Sequence, residues 1–229
     1  LDKGASFSVI DEETYKLNEQ TILVNNALET LQELAKYHRS QLKIPVVGLT
    51  GSNGKTTSKE LINAVLSKKY TTFATQGNLN NHIGVPLSIL SIHPDVEITV
   101  IEMGANHQKE IEFLTSISNP DFGFITNFGK AHIEGFGGLE GVIKGKSELY
   151  ENIRQNDKKV FVNEEDSKQM ELTSDLDRIL FRPSEIEILS ESPLLELKFK
   201  NQKFKTHLIG SYNTLNIAIA LQVGTYFNV

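Results

Sequence analysis

A short glycine-containing segment is the part of the chain whose residue types and spacing most clearly suggest chemistry. Residues 50–57 read Thr-Gly-Ser-Asn-Gly-Lys-Thr-Thr, between the apolar residues 46–49 and a helical pattern of leucine, isoleucine and valine. Glycines let backbone N–H groups converge on phosphate oxygens, and the start of a helix adds the positive end of its dipole. Lys55 can reach the β- and γ-phosphates of a nucleotide, and the Thr56 hydroxyl can bind Mg²⁺.

This segment predicts a phosphate-binding loop for a nucleotide. It departs from the strict pattern at one position, because Leu49 stands where the first glycine is expected. The simpler alternative is a glycine turn that begins a structural helix, which a Gly-Lys-Thr-Thr run between a strand and a helix disfavours. A kinase, an ATPase or a ligase can carry such a loop. The residues expected to contact the nucleotide are Gly51, Ser52, Asn53, Gly54, Lys55, Thr56 and Thr57.

Two further polar side chains follow predicted strands and are expected on the same edge of the sheet. Glu102 ends the apolar run 98–102, and His132 follows the strand predicted over 122–126. Ligands collect at the carboxyl ends of parallel strands, so these two side chains and Thr56 are candidate Mg²⁺ ligands. The alternatives are a solvated acid at a strand end and an ordinary surface histidine.

An amide-rich stretch and a lysine-bearing helix supply other candidates. The amides of Asn80 and Asn81 suit the edges of a sugar or a uracil ring, although asparagines in turns also commonly cap helices. The helix predicted over 139–153 carries Lys144 and Lys146, which on residue type alone are solvated charges.

Strand and helix patterns alternate through the middle of the chain. Such alternation predicts an α/β fold, in which a mainly parallel sheet is flanked by helices on both faces. The predicted strands lie at 46–49, 71–75, 96–102, 122–126 and 158–163. The predicted helices include residues 61–66, 84–92, 107–118 and 139–153.

The pattern differs towards the two ends. Short strands are predicted at 6–10 and 21–24, followed by a helix from about Asn26 to Arg39, with a domain boundary near the start of this helix. Near the other end, alternating polarity predicts a small antiparallel extension, and a last helix begins near Asn213. The strands of this extension are expected at 186–192, 194–200 and 203–209.

Composition narrows the functional classes. The chain has 229 residues, of which 39% are apolar and 23% charged, and its net charge is −6. This balance is typical of a folded globular protein, and the acidic excess argues against a broad electrostatic contact with nucleic acid. The absence of cysteine excludes disulfides, thiolate metal sites and thiol nucleophiles. No apolar run approaches the roughly 18 residues of a transmembrane helix.

Six segments, in order along the chain, resemble the motifs of the Mur ligase family. The second and third of them resemble the branch of the family that adds D-alanyl-D-alanine. The sixth departs at Tyr212, where the family usually has histidine. The segments are residues 50–57, Gly-Asn-Leu-Asn-Asn-His-Ile-Gly-Val-Pro-Leu (77–87), Glu-Met-Gly-Ala-Asn-His (102–107), Ala-His-Ile-Glu-Gly-Phe-Gly (131–137), Lys-Gly-Lys-Ser-Glu-Leu (144–149) and Gly-Ser-Tyr-Asn-Thr-Leu-Asn (210–216).

The resemblance implies an ATP-dependent ligase of peptidoglycan precursor synthesis. It implies that D-alanyl-D-alanine is added to UDP-N-acetylmuramoyl-tripeptide through an acyl phosphate, with Mg²⁺ bound. It also implies a cytoplasmic protein, expected to be a monomer that binds no nucleic acid. Two alternatives stay open. One is another ligase of the superfamily, such as a diaminopimelate- or lysine-adding enzyme or folylpolyglutamate synthase; the other is a nucleotide-binding module without catalysis.

The resemblance also implies roles for individual residues. Thr56 and Glu102 are expected to hold the Mg²⁺ that bridges the β- and γ-phosphates, and His132 to help hold a second Mg²⁺ near the acyl phosphate. Lys146 aligns with the lysine that several relatives carry as a carbamate, which would make it an anionic metal ligand. The implied catalytic residues are Lys55, Glu102, His132 and Lys146. The residues expected beside the UDP-sugar substrate are Asn80 and Asn81, and those beside adenine are Asn213 and Asn216.

Finally, the resemblance implies a domain organisation. Family members have an N-terminal UDP-binding domain, a central ATPase domain and a C-terminal domain that brings the dipeptide. Residues 1–25 are expected to be the end of the first domain and residues 26–229 the central one. The C-terminal domain is expected to be absent, so ligation by these 229 residues alone is not expected.

Overall fold

The computed structural model describes residues 4–229, and the first three residues of the expected N-terminal remnant lie outside this range. The strands are β1 (Ser8–Ile10), β2 (Thr21–Leu23), β3 (Val46–Thr50), β4 (Thr72–Ala74), β5 (Ile98–Glu102), β6 (Phe122–Ile125), β7 (Lys159–Asn163), β8 (Asp177–Phe181), β9 (Glu187–Ser190), β10 (Glu196–Phe199) and β11 (Gln202–Lys205). The α-helices are α1 (Ala27–Gln41), α2 (Lys55–Leu66), α3 (Gly84–Leu90), α4 (Glu110–Ser118), α5 (Ile133–Phe136), α6 (Leu139–Gln155), α7 (Ser167–Leu172) and α8 (Thr214–Tyr226).

Six strands form one parallel sheet in the order β4–β5–β3–β6–β7–β8. The chain enters this sheet at β3, moves outward to β4, returns through β5 and then crosses β3 to reach β6. Parallel crossovers are right-handed, so this reversal places α2 on one face of the sheet and α3, α4 and α6 on the other. In the register, Leu49 pairs with Glu102 on one side and with Phe124 on the other. The carboxyl ends of β3, β5 and β6 therefore meet where the winding reverses, which is the usual ligand crevice of such sheets.

Each face of the parallel sheet is covered by its own apolar core. On one face, Ile62 of α2 packs with Ile217 of α8, and Leu197 of the antiparallel sheet joins the same cluster. On the other face, Ile89 of α3 and Leu149 of α6 belong to a second cluster. The antiparallel sheet has the order β11–β10–β9. Both cores hold the strands from opposite sides, so the strand ends form a rigid platform for the loops above them.

A buried arginine fixes α1 to the rest of the molecule. The helix begins after Asn26, whose side chain caps it by accepting a hydrogen bond from the Glu29 N–H at 3.0 Å. Near its other end, Arg39 is 6% exposed and donates to the Ser118 carbonyl at 2.8 Å and to an Asp121 carboxylate oxygen at 2.9 Å. Since these partners precede β6, α1 is tied to the same edge of the sheet from which β6 starts.

The predicted α/β fold is confirmed, with a parallel sheet, flanking helices and an antiparallel three-stranded extension. The predicted strands and helices are present with ends shifted by a few residues. The sequence interpretation missed the short helix α5 and also α7 and β8, which follow β7. Of these, β8 completes the parallel sheet. Within residues 4–229, no helix combines the length and the apolar character needed to span a membrane.

Candidate active site

The predicted phosphate loop connects β3 to α2 and takes a conformation that two of its glycines permit. Gly54 precedes the helix with φ of 78°, a left-handed conformation that suits glycine. Gly51 has φ of 142°, and a Cβ placed on it would lie 1.9 Å from the Thr126 hydroxyl oxygen. The loop thus passes so close to the end of β6 that a side chain at residue 51 has no room.

The segment after β6 holds the phosphate loop in place. The Asn127 side chain accepts from the Asn53 N–H at 3.2 Å and donates to the Asn53 carbonyl at 3.0 Å. The Thr126 hydroxyl donates to the same carbonyl at 2.7 Å, and the Ser52 hydroxyl donates to the Gly129 carbonyl at 2.9 Å. These contacts tie the loop to the 126–129 segment. An α-helix leaves its first N–H groups without a partner inside the helix, so the start of α2 can bind an anionic ligand.

Lys55 lies at the start of α2 and curls over the loop. Its ammonium donates to the Gly51 carbonyl at 2.8 Å and to the Ser52 carbonyl at 3.2 Å. Burial lowers the pKa of Lys55, while the nearby Glu102 carboxylate acts in the opposite direction. A partly buried cation beside free helix N–H groups forms a site for an anionic oxygen, as a phosphate group supplies.

The Glu102 carboxylate is held with one oxygen engaged and the other unpaired. Glu102 is the last residue of β5, and it is 1% exposed. One oxygen, Oε1, accepts from the Thr56 hydroxyl at 3.2 Å and from the Asn80 amide at 2.8 Å. The other, Oε2, is buried and has no hydrogen-bond partner. A buried, unpaired carboxylate oxygen is unfavourable unless a cation approaches it, so the arrangement fits a Mg²⁺ beside the Thr56 hydroxyl.

The described residues hold no self-sufficient metal centre. Between residues 4 and 229, no three His, Cys, Asp or Glu side chains converge in a manner that could hold an ion. This agrees with the chemistry of Mg²⁺ at nucleotides, which takes one or two protein oxygens and completes its shell with phosphate oxygens and water. Thr56 and Glu102 bring two oxygens together in the structure, and that they hold a Mg²⁺ stays a prediction.

Lys146 of α6 is buried next to Ala105, three residues after the end of β5. It is 1% exposed, its ammonium donates to the Ala105 carbonyl at 3.3 Å, and it lies 5.1 Å from the centre of the Phe136 ring. Burial, together with the charge of nearby Lys55, lowers the pKa of Lys146 to about 8, while nearby carboxylates act in the opposite direction. A fraction of this amine is therefore neutral at physiological pH, unlike that of a surface lysine.

One cavity of 590 Å³ joins several of the predicted residues. Lys55, Asn80, Asn81 and His132 all line it, together with residues from the start of α4. His132 is exposed and stands directly before α5 in a left-handed conformation, with φ of 56°. The Asn81 side chain accepts from the N–H of Gly84 at 2.8 Å, so this asparagine also caps the start of α3.

Asn213 and Asn216 form a hydrogen bond with one another, and Asn216 packs against the phosphate loop at Gly54. The Asn216 amide donates to the Asn213 side chain at 2.9 Å, and its oxygen accepts from the Ser58 hydroxyl at 2.9 Å. A Cβ on Gly54 would lie 2.6 Å from the Asn216 side-chain oxygen. Both asparagines are nearly buried, whereas Tyr212 is 76% exposed. The start of α8 is therefore packed directly against the loop that begins α2.

Sequence reasoning missed the loop-holding residues Thr126 and Asn127 and a buried lysine of α2, Lys59. The first two carried a usable signal, because they stand at the end of the strand predicted over 122–126 and precede Gly129, on the same edge as Glu102. No local signal distinguishes Lys59, since a lysine in a helix is most simply interpreted as solvent-exposed.

The fold and the site together define an α/β domain whose phosphate loop lies at the reversal of a parallel sheet. Residues 49–224 match the family described as the Mur ligase middle domain, so the chain belongs to the Mur ligase family. It is similar to the UDP-N-acetylmuramoyl-tripeptide–D-alanyl-D-alanine ligase of Bacillus subtilis (strain 168), with 34% identity over 218 residues. The match covers 93% of this chain and 48% of that protein, so the chain spans about half the length of this relative.

Solved structures give the same grouping. The structure of MurF ligase from Thermotoga maritima in complex with ADP matches with a TM-score of 0.81 and 28% identity, covering 99% of this chain and 55% of that one. A folylpolyglutamate synthase from Mycobacterium tuberculosis matches with a TM-score of 0.54 and 14% identity, covering 88% of this chain and 58% of that one. The second match shows a shared fold only.

The close approach of Gly51 to Thr126 gives a stability prediction. Gly51→Ala should lower the free energy of unfolding by about 1–3 kcal/mol more than Gly137→Ala does, because its Cβ forces the loop away from β6. Gly137 is the matched control: its φ is also positive, at 75°, and a Cβ there meets no atom within 4 Å. Urea denaturation of the three proteins measures the difference. Equal losses for both variants would show that the loop does not pack as described.

Proposed function

We propose that the full-length protein is an ATP-dependent ligase that adds D-alanyl-D-alanine to UDP-N-acetylmuramoyl-tripeptide. The observation that carries the proposal is the buried Glu102 carboxylate, whose Oε1 accepts from the Thr56 hydroxyl beside the phosphate loop and whose Oε2 has no hydrogen-bond partner. Such a group suits a metal-bound nucleotide that takes part in chemistry. The choice of substrates rests on the similarity to the D-alanyl-D-alanine ligases described above.

The chemistry proceeds in two displacements. A substrate carboxylate oxygen attacks the γ-phosphorus of ATP and the bond to ADP breaks, which gives an acyl phosphate. The neutral amine of D-alanyl-D-alanine then attacks the acyl carbon, and the tetrahedral intermediate loses a proton and inorganic phosphate to leave an amide. The main obstacle is the approach of a carboxylate to a polyanionic triphosphate, so catalysis requires positive charge and fixed geometry.

The residues of the loop meet this requirement. Lys55 and the first N–H groups of α2 bind the phosphate oxygens and offset their charge. Thr56 and Glu102 would hold a Mg²⁺, which when bound neutralises further phosphate oxygens. His132, on the rim of the same cavity, would help to hold a second ion near the transferred phosphate. The cavity gives the substrate carboxylate direct access to Lys55.

Lys146 is proposed to act as a carbamate. Its buried amine has a lowered pKa and can attack CO₂ as the neutral base, forming an N–C bond and releasing one proton. The product is an anion in place of a cation, so the repulsion between Lys146 and Lys55 becomes attraction. The new carboxylate oxygen could serve as a metal ligand, as the resemblance implies.

The remaining site residues are proposed at the two ends of the ligand. Asn80 and Asn81 line the cavity and are proposed to contact the UDP-sugar substrate. Asn213 and Asn216 are proposed to form the adenine region; their mutual hydrogen bond supports a role in fixing the start of α8, beside the exposed ring of Tyr212.

The proposal extends to organisation and location. We propose that residues 26–229 are the central ATP-binding domain, which the match over residues 49–224 supports, and that residues 1–25 belong to an N-terminal substrate domain. A monomer in the cytoplasm, where ATP and UDP-linked precursors are available, is the proposed setting. The partners are then the UDP-linked tripeptide and the dipeptide.

Phosphate release by the full-length protein tests the choice of reaction. Turnover should require UDP-N-acetylmuramoyl-tripeptide, D-alanyl-D-alanine, ATP and Mg²⁺ together. The UDP-linked dipeptide with lysine or diaminopimelate, and a folate with glutamate, are the control pairs. Preference for either control pair would assign the protein to another ligase of the superfamily. ATP binding without turnover of any pair would instead indicate a nucleotide-binding module.

A second prediction concerns the carbamate. Lys146→Ala should lower ligation by about 100-fold or more, because a charge at the reacting phosphates is lost. Short carboxylic acids should restore part of the rate in this variant by occupying the place of the carbamate. Lys144→Ala, which removes an exposed lysine from the same helix, is the matched control and should keep full activity. Failure of rescue with an intact fold would leave Lys146 as an unmodified lysine.

A further inference from the structure

Besides Lys146 of α6, a lysine of α2 is buried, and this second lysine has no part in the mechanism above. Lys59 lies three residues after Thr56 and is 0% exposed. Its ammonium donates to the Thr75 carbonyl at 2.6 Å and to the Gly77 carbonyl at 3.0 Å, and it forms an ion pair with Glu60 at 2.9 Å. Both carbonyls belong to the segment that follows β4.

The burial of this ammonium calls for a specific reason. Transfer of a lysine charge from water to the interior is unfavourable, and an apolar residue of similar length would pack at the same place without that penalty. The Glu60 side chain is 60% exposed, so this ion pair contributes little. What Lys59 provides and an apolar residue cannot is a pair of charge-assisted hydrogen bonds that join α2 to the 75–77 backbone.

That backbone leads directly to the residues that orient Glu102. The Thr75 hydroxyl accepts from the Glu102 N–H at 3.0 Å. Five residues later, the Asn80 amide donates to Glu102 Oε1 at 2.8 Å, and the Asn80 carbonyl accepts from the Gly104 N–H at 2.7 Å. The 75–80 segment therefore contacts both the backbone and the carboxylate of Glu102, and Lys59 fixes the start of this segment relative to Thr56.

We propose that Lys59 is a positioning residue for the metal site. Its two hydrogen bonds set the 75–80 segment against Glu102, so that Thr56 and Asn80 both engage Oε1 and leave Oε2 free for the cation. The inference rests on the proposed function, because it assigns Lys59 to the Mg²⁺ site of that ligase. Lys59 itself touches neither the ion nor the nucleotide.

The test compares Lys59→Met with two matched controls. Methionine keeps the length of the side chain and removes the donors. Lys68→Met removes an exposed lysine just beyond α2, and Glu60→Gln removes the ion pair while keeping both carbonyl contacts. Calorimetric titration with a non-hydrolysable ATP analogue, in the presence and absence of Mg²⁺, gives the factor by which Mg²⁺ strengthens nucleotide binding. Hydrogen exchange of the Glu102 and Gly104 amides reports on the junction itself.

The expected result is selective. In Lys59→Met, the Mg²⁺-dependent gain in affinity for the ATP analogue should fall by about 10-fold, as for residues that orient metal ligands, while Mg²⁺-free affinity stays near that of the wild type. Exchange at Glu102 and Gly104 should accelerate more than exchange in β6. Both controls should match the wild type. Uniform acceleration across the sheet, or an unchanged Mg²⁺ effect, would overturn the proposal and leave Lys59 as a general stabiliser.

A second variant and the titration of the wild type complete the test. If Lys59→Met does not accumulate as a folded protein, Thr75→Val removes the acceptor of the Glu102 N–H without altering α2. The same selective loss of the Mg²⁺ effect supports the proposal, and its absence contradicts it. The wild-type titration separates the two hypotheses. A wild type whose affinity for the ATP analogue does not depend on Mg²⁺ contradicts the proposed function, whereas the exchange data still test the contact of the 75–80 segment with Glu102.

Discussion

A carboxylate removed from water with one oxygen unpaired constrains everything around it. Glu102 engages Oε1 with Thr56 and Asn80, while its buried Oε2 has no hydrogen-bond partner. The reversal of the sheet winding at β3 makes the arrangement possible, since it brings the ends of three strands together. The two apolar cores then keep the strands from shifting, so the loops at the carboxyl ends of the strands also keep a fixed geometry.

The balance of positive and negative charges is a second constraint on the site. Lys55 and Lys146 repel one another, which contributes to the lowered pKa of Lys146, whereas the Glu102 carboxylate acts to raise the pKa of Lys55. Triphosphate adds negative charge, whereas a metal ion adds positive charge at Glu102. In the proposed function, a carbamate at Lys146 would place a negative charge near Lys55 in place of a positive one.

Local sequence patterns predicted what depends on local structure. The phosphate loop, the strand that ends at Glu102 and the alternation of strands and helices follow from turn chemistry and periodicity, and the fold class is confirmed. Contacts between distant segments have no such signal: Asn127 on the loop and Lys59 on the 75–77 backbone are visible only in the folded chain. The edge strand β8 was missed because charged and half-exposed residues interrupt its apolar pattern.

The central claim is that Glu102 recruits a divalent ion to the nucleotide phosphates. Its most direct test is the Mg²⁺ dependence of ATP binding in Glu102→Gln, measured by calorimetry beside Glu97→Gln, an exposed acid just before the same strand. Glutamine keeps the shape of the side chain but removes the charge. The account predicts that Glu102→Gln loses most of the strengthening by Mg²⁺ and that Glu97→Gln retains it. An unchanged Mg²⁺ effect in Glu102→Gln would contradict the account.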